Sequence, residues 1–370
     1  MRIAFLCKRR YMAKDVIADR YGRLYEIPYQ LARLGHEVQG YCLSYQGHQS
    51  GAWTHTTDDM PGQLNWESQS LRDNVRMLQY PRSLLHKLRR FNPDIVIAAS
   101  DMPHIILGAW LTRRLGCRLV ADLYDDFESF GQARIPGLKP LFRRSLRQAH
   151  LIVTTSDRLA THVLNTCKPR GSMITMPSSV DTRLFAPMDQ ATCRRQLGLP
   201  EDGDLIGTAG DLKASRGINV VYQAWGQLAS TNPNCHLVLA GPIDKECPPP
   251  THDRVHYLGE LDHRDIPVLF NALDVGVIYL VNDPFGWHCY PQKVQEMMAC
   301  ELPMVAADVG AMPDLMVNTK HALYRAGDAA ELARAAQSQL QSRETINGAI
   351  KTWEESVWAL EVMLQKAASG

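Results

Sequence analysis

Nine cysteines are scattered along 370 residues without one Cys-x-x-Cys pair. Their odd number and irregular spacing suggest neither a zinc ribbon nor a disulfide frame. Such usage fits a reducing compartment, the cytoplasm. No apolar run approaches the roughly 18 residues that a membrane-spanning helix requires. Met1-Arg-Ile-Ala-Phe-Leu-Cys7 passes at once into Lys8-Arg-Arg10, which reads as a short strand and not as a secretory leader. Any membrane contact is therefore expected to be peripheral. Net charge is nearly absent, +1 at pH 7, which argues against a general nucleic-acid binder. No repeat of about 20–50 residues marks a solenoid or propeller.

The small net charge hides an asymmetry. Residues 1–190 hold 26 Lys/Arg against 17 Asp/Glu, a balance of +9, and residues 191–370 hold 14 against 22, a balance of −8. A basic half joined to an acidic half suggests that the basic half meets something anionic. Length predicts two domains, and an apolar content of 45% supplies real cores.

Short apolar runs alternate with helical patterns throughout, as in a parallel, doubly wound α/β sheet. The first half predicts strands at Arg2–Cys7, Glu37–Cys42, Asp94–Ala99, Arg118–Leu123 and Leu151–Thr155, with a weaker one at Val75–Leu78. Helices are predicted at Arg23–Leu34, stopped by Gly35, at Pro81–Phe91 and at Met102–Leu115. Residues 46–70, rich in Gly, Gln, Ser and Thr, read as a long loop. Pro177–Pro187 carries turn residues and reads as a linker. A second series follows, with strands at Leu205–Thr208, His236–Ala240, Val255–Leu258 and Val275–Leu280. Helices are expected at Gly217–Ala229, His263–Ala272, Ala329–Leu340 and Ile346–Ala367. The expected division is 1–180, 181–350, and a last helix over 351–370 that packs back towards the first domain.

The densest chemistry lies in Tyr290–Ala306. A loop ends at Pro291, a helix runs from about Gln292 to Cys300, and Leu302-Pro303 stops it before a buried strand at Met304–Ala307. A helix start bearing Lys293 and Glu296 suits a sugar diphosphate. Its amides and Lys293 would face phosphate oxygens, and Glu296 would accept from sugar or ribose hydroxyls.

This block resembles the donor-site segment of the family 4 glycosyltransferases, whose fold is GT-B: two Rossmann-like domains facing each other across a cleft. Further pieces match the family in the same order: Gly35-His-Glu-Val38, Ser156-Asp-Arg-Leu159, Ser178-Ser-Val-Asp-Thr-Arg-Leu-Phe185, Gly210-Asp-Leu-Lys-Ala-Ser-Arg-Gly217, Leu258-Gly-Glu-Leu261 and Gly310-Ala-Met-Pro-Asp-Leu315. The resemblance implies transfer of a sugar from a nucleotide-diphosphate sugar to a glycan, lipid-linked or small-molecule acceptor. It implies retention of configuration, with no metal and no cofactor beyond the donor substrate.

Residue by residue, the resemblance puts Arg216 beside the leaving diphosphate, where a fixed guanidinium offsets growing negative charge. Arg216 falls on the position where the family has Lys. The family's Arg position falls at Gly210 or Asp211, and Lys213 is placed to compensate. The family's paired glutamates stand eight positions apart. Glu296 matches the second, and His288 stands where the first would be. Asp283-Pro-Phe-Gly286 is the alternative first half, with Asp283 and Gly286 as its candidate donor contacts. On the acceptor side, Asp122-Leu-Tyr-Asp-Asp126 follows a buried strand. Tyr124 takes the place of a family histidine and Asp125 that of its acid, which makes both catalytic candidates. Gly22, Arg23 and Asp122 complete the acceptor side. Arg134–Arg147 mixes basic residues with Leu138, Leu141, Phe142 and Leu146, which fits either an anionic membrane surface or a helix packed on its own sheet. Two other readings stay open: an inactive partner subunit of a transferase, and a nucleotide-sugar 2-epimerase.

Overall fold

A computed structural model describes residues 1–12, 14–56, 61–71, 74–346 and 348–369. The chain divides into two compact units, Met1–Ser178 with Trp353–Gly370, and Ser179–Thr352.

The first unit begins with β1 (Arg2–Lys8), a small antiparallel pair β2 (Arg10–Tyr11) and β3 (Lys14–Asp15), and α1 (Arg23–Arg33). Then come β4 (Glu37–Ser44), β5 (Gly51–His55), β6 (Gln63–Ser70), α2 (Asn74–Phe91), β7 (Ile95–Ala98), α3 (Met102–Leu115) and β8 (Arg118–Leu123). It continues through α4 (Leu138–Gln148), β9 (Leu151–Thr154), α5 (Asp157–Cys167) and β10 (Ser172–Thr175). The eight-stranded sheet runs β10-β9-β8-β7-β1-β4-β6-β5 and is parallel apart from edge strand β5.

β1 shows why such strands read as unbroken apolar runs. Ile3, Phe5 and Cys7 pack on one face with Leu24, Ile27 and Leu31 of α1, and Ala4 and Leu6 pack on the other with Tyr80, Leu84 and Leu88 of α2. A strand covered on both faces has no polar side to alternate with.

The second unit holds α6 (Gln190–Gln196), β11 (Asp204–Ala209), α7 (Ile218–Thr231), β12 (Cys235–Ala240), β13 (Val255–Tyr257), α8 (Ile266–Ala272) and β14 (Val275–Ile278). It continues with α9 (Pro284–His288), α10 (Gln292–Ala299), β15 (Met304–Ala307), α11 (Met312–Leu315), β16 (Leu323–Tyr324) and α12 (Ala329–Ser342). Its sheet, β13-β12-β11-β14-β15-β16, is parallel throughout. The final helix, α13 (Trp353–Ser369), belongs to the first unit, where Trp353, Val357, Leu360 and Leu364 join the core around α1.

Three expectations change. The loop over residues 46–70 contains β5 and β6. In β6 only Leu64, Trp66 and Ser68 are buried, in alternation with polar neighbours, so its signal is thin. Partner β4 supplies what is missing: Gly40 lies opposite Trp66, and a Cβ at Gly40 would come within 2.2 Å of the indole. The weak strand at Val75–Leu78 is helical. α2 starts at Asn74 and carries Pro81 inside it, where the ring forgoes one backbone bond and crowds the carbonyl one turn back. Two predicted helices of the C-terminal half start later than expected: His263–Ala272 begins at Ile266, with Pro267 in its first turn, and Ile346–Ala367 begins at Trp353. Among the described residues no helix is long and apolar enough to cross a membrane.

In both sheets the strand order reverses beside a central strand, between β1 and β7 and between β11 and β14. Ligands of open α/β sheets bind outside the carboxyl ends of strands at such points.

Candidate functional site

In the second unit the reversal lies where β11 ends at Ala209 and β14 at Ile278. Gly210 leaves β11 with a φ of 120°, and Gly241 at the end of β12 sits so close that a Cβ there would lie 2.1 Å from the Gly210 carbonyl oxygen. The tight backbone leaves room for the Lys293 side chain, whose Nζ would be 3.3 Å from a Cβ at Gly210. Lys293 Nζ donates to Thr208 Oγ1 at 3.4 Å and stands 4.9 Å from the centre of the Tyr279 ring. Tyr279 Oη in turn donates to the Asp211 carbonyl at 2.6 Å, which ties the β14 end to the loop after β11. Burial pushes the Lys293 ammonium down to about 8, partly opposed by the nearby Glu296 carboxylate.

Arg216 closes a single 3₁₀ turn, Ala214–Arg216, and Gly217 follows in the left-handed region at φ 93°. Its guanidinium lies 3.9 Å from the centre of the Phe285 ring in α9. The ring fixes the cation by quadrupole attraction and leaves its N–H edge available for an anion. Lys213 pairs with Asp211 at 3.1 Å, both well exposed, so it adds little fixed positive charge.

Asp283 caps α9, its carboxylate accepting from Gly286 N at 2.8 Å. Gly286 is there because nothing larger fits: a Cβ would sit 1.9 Å from the Val281 carbonyl oxygen. His288 is the last residue of α9. Glu296 is buried in the second turn of α10, not in the first as its place in the motif suggests. Its Oε1 accepts from Gln292 Nε2 at 3.3 Å and lies 3.4 Å from His263 Nε2. A wider surface hollow of about 840 Å³, around Asp308, Asp314 and Arg325, contains none of these residues.

In the first unit the acceptor-side expectation for Arg23 and Asp122 gives way to a structural one. Both side chains are out of solvent. Arg23 Nε donates to Asp122 Oδ1 at 2.9 Å and Oδ2 at 3.0 Å, Nη2 donates to Oδ1 at 2.7 Å, and Nη1 reaches the Met176 carbonyl at 2.7 Å. The fork satisfies the carboxylate and clamps α1 to the end of β8. Gly22 is buried at the start of α1 with φ 67°.

Tyr124 faces a cavity of about 420 Å³ outside the ends of β1, β4, β7 and β8, shared with Lys8, Arg10, Tyr45, Asp101 and Phe130. Its hydroxyl donates to the Ser100 carbonyl at 2.9 Å, and burial pushes its phenol well above the usual range, so it stays protonated. Asp125 accepts from Asp126 N at 2.9 Å and does not line the cavity.

Residues 23–184 match Glycosyltransferase Family 4, and residues 203–342 match Glycosyl transferases group 1. The chain belongs to glycosyltransferase family 4. It is 22% identical over 382 residues to the N-acetyl-alpha-D-glucosaminyl L-malate synthase of Bacillus anthracis, covering 97% of this chain and 92% of that protein. It is 27% identical over 228 residues to the D-inositol 3-phosphate glycosyltransferase of Stackebrandtia nassauensis, covering 57% of this chain and 48% of that one. Among solved structures, sucrose-phosphate synthase from Thermosynechococcus elongatus superposes with a TM-score of 0.74 at 18% identity, over 99% of this chain and 97% of that one. Anabaena HepE in complex with UDP gives 0.68 at 17% identity, over 100% and 99%. The fold is GT-B, built from two Rossmann-like units.

Within this family 4 frame, the structure groups Arg216, Lys293 and Gly286 with residues that motif reading passed over: Thr208, Tyr279 and Phe285. Tyr279 directly follows a buried strand, the same signal that drew attention to Asp122. Lys8 and Asp101 also sit at strand ends and could have been found in that way. Phe285 carried no such mark, because its role comes only from the stacking of Arg216.

Proposed function

We propose that this chain transfers a hexosyl group from a nucleotide-diphosphate sugar to an acceptor held by the first unit, with retention of configuration. The observation that carries the reading is the pair of cations at the strand reversal of the second unit: Arg216 held on Phe285 and Lys293 held against Thr208 and Tyr279. The carbon–oxygen bond between the anomeric carbon and the diphosphate breaks, and a new one forms to the acceptor hydroxyl. The hydroxyl proton passes to the departing phosphate oxygen. Negative charge grows on the diphosphate, and preorganised cations lower that barrier. These side chains supply the positive charge, so the reading requires no metal or cofactor. Glu296, buried beside His263 and Gln292, accepts from donor hydroxyls.

The departure at His288 favours a second reading, an inactive partner subunit. A thermal-shift screen of UDP, GDP, ADP and dTDP, then mass spectrometry with the best donor sugar, separates the two. The transferase reading expects a nucleotide-dependent rise in melting temperature and slow donor hydrolysis without acceptor. No response to any nucleotide would leave the partner reading.

The setting we propose is cytoplasmic, with peripheral contact to an anionic membrane. The nine cysteines stand as thiols outside any disulfide, the state a reducing compartment favours. Of the basic segment, Arg143 grips Glu128 with bonds of 2.7 and 2.6 Å, and Arg147 donates to the Cys167 carbonyl at 2.8 Å. The outward contact is therefore Arg134 and Arg144 beside exposed Ile135 and Leu141.

A further inference from the structure

The cavity at the β1/β7 reversal has an unbalanced charge. After Cys7 the chain continues Lys8-Arg9-Arg10, and the three cations have different fates. Arg9 is buried, bonded to Asp15 at 2.9 Å and to the Gln49 carbonyl at 2.8 Å, and stacked over Trp53. Lys8 and Arg10 line the cavity. Among the described residues Arg10 donates to the neutral Gln46 side chain, at 2.7 Å, and Lys8 lies 5.7 Å from the centre of the Tyr124 ring. Among the described residues no carboxylate forms an ion pair with either.

One acid lines the cavity, Asp101, and its oxygens are already engaged. Oδ1 accepts from the His104 backbone at 3.0 Å and contacts His104 Nδ1 at 2.6 Å, and Oδ2 accepts from Tyr45 Oη at 3.2 Å. Burial raises the Asp101 carboxyl, but His104 outweighs it and holds the group below its usual range. Asp101 therefore stays a carboxylate with both oxygens engaged by His104 and Tyr45, and Lys8 feels the Asp101 and Asp125 charges but forms no ion pair with a carboxylate among the described residues. Burial draws the Lys8 ammonium down, and the nearby Asp101 and Asp125 charges only partly offset this. Tyr124 and Phe130 add aromatic surface to the same lining, which suits the face of a sugar or cyclitol ring.

We propose that the acceptor taken by this cavity carries an anionic group, a phosphate or a carboxylate, seated between Lys8 and Arg10 while its ring lies against Tyr124 and Phe130. This rests on the transferase reading for the word acceptor, but the anion subsite stands on the first unit alone. A bound anion gives Lys8 the direct ion pair it has with no carboxylate among the described residues, and Arg10 can offer its remaining N–H groups to the same oxygens.

The test is calorimetric titration of the full chain with probes that share a ring and differ in charge: glucose, glucosamine, glucuronate and glucose 6-phosphate, with inorganic phosphate beside them. We expect at least one ring-bearing anion to bind about tenfold more tightly than glucose, the worth of one good charged contact. Whether glucuronate or glucose 6-phosphate leads distinguishes carboxylate from phosphate. Lys8→Gln and Arg10→Gln should each reduce the preference, the double variant should abolish it, and Lys8→Arg with Arg10→Lys should keep most of it. Melting temperatures and the UDP shift, read on the same samples, control for folding and report the second unit separately. Equal affinity for neutral and anionic probes, no binding of any probe at millimolar concentration, or a preference that survives in the double variant would overturn the proposal. A lost UDP shift with the anion preference intact would instead count against the donor reading.

Discussion

Arg216 and Lys293 act by different physics. Arg216 acts through its placement, which the Phe285 ring fixes. Replacing it with alanine should lower turnover by roughly 10²- to 10³-fold, the scale of losing one preorganised charge stabiliser. Folding should survive, because the side chain is only half-buried. Steady-state rates with the true donor are the check, and unchanged turnover would remove Arg216 from the mechanism. Lys293 is conditional. Its ammonium is pushed from an ordinary 10.5 to about 8, so the free protein loses this charge as pH rises through 8. UDP affinity should therefore decline above that pH in the wild type, and Lys293→Gln should be weak and flat across the range. Stability moves the other way: between about 8 and 10.5 the unfolded chain holds more protons at this site, so Lys293 makes stability rise over that window. A pH series of UDP titrations on both proteins reads the difference.

At the scale of elements, β6 and α4 show how neighbours decide a segment's role. β6 is held by Trp66 lying over Gly40 of β4. Gly40→Ala should cost about 1–3 kcal/mol through overpacking, seen as a lower denaturation midpoint with the UDP shift retained. An unchanged midpoint would mean that the sheet edge yields freely. α4 has a sequence suited to an anionic surface, but it buries Phe142, Ser145 and Leu146 against its own unit and engages Arg143 internally. The vesicle contact then falls to Arg134 and Arg144. Changing both to Gln should weaken co-sedimentation with anionic vesicles roughly 30-fold, at about 1 kcal/mol per basic residue. Equal, negligible binding of wild type to neutral and anionic vesicles would end the membrane reading.

At the scale of the molecule, each unit is braced by a buried ion pair between residues far apart in sequence. Arg23 meets Asp122 in the first unit, and Arg194 meets Asp274 at 2.7 Å in the second, where Leu205 N also donates to Asp274 at 2.8 Å. Removing one partner leaves a buried charge, so Asp122→Ala should cost roughly 3–5 kcal/mol of stability. Chemical denaturation measures it. An intact midpoint with weakened acceptor binding would return Asp122 to the acceptor site.

The sequence by itself determined the α/β class, the parallel order of the main strands, and the motif positions of Arg216, Lys293 and Glu296. Buried parallel strands must be apolar on both faces, and loops at strand ends carry their chemistry in short stretches, so both are written locally. Only the tertiary structure decided that Arg23 and Asp122 satisfy each other, that Arg9 is engaged while Lys8 and Arg10 face a cavity, and that β6 is a strand. Those outcomes depend on which distant group arrives opposite: an aspartate 99 residues on from Arg23, or a glycine across the sheet from Trp66. Pairing of that kind is a property of the folded contact, and no local pattern encodes it.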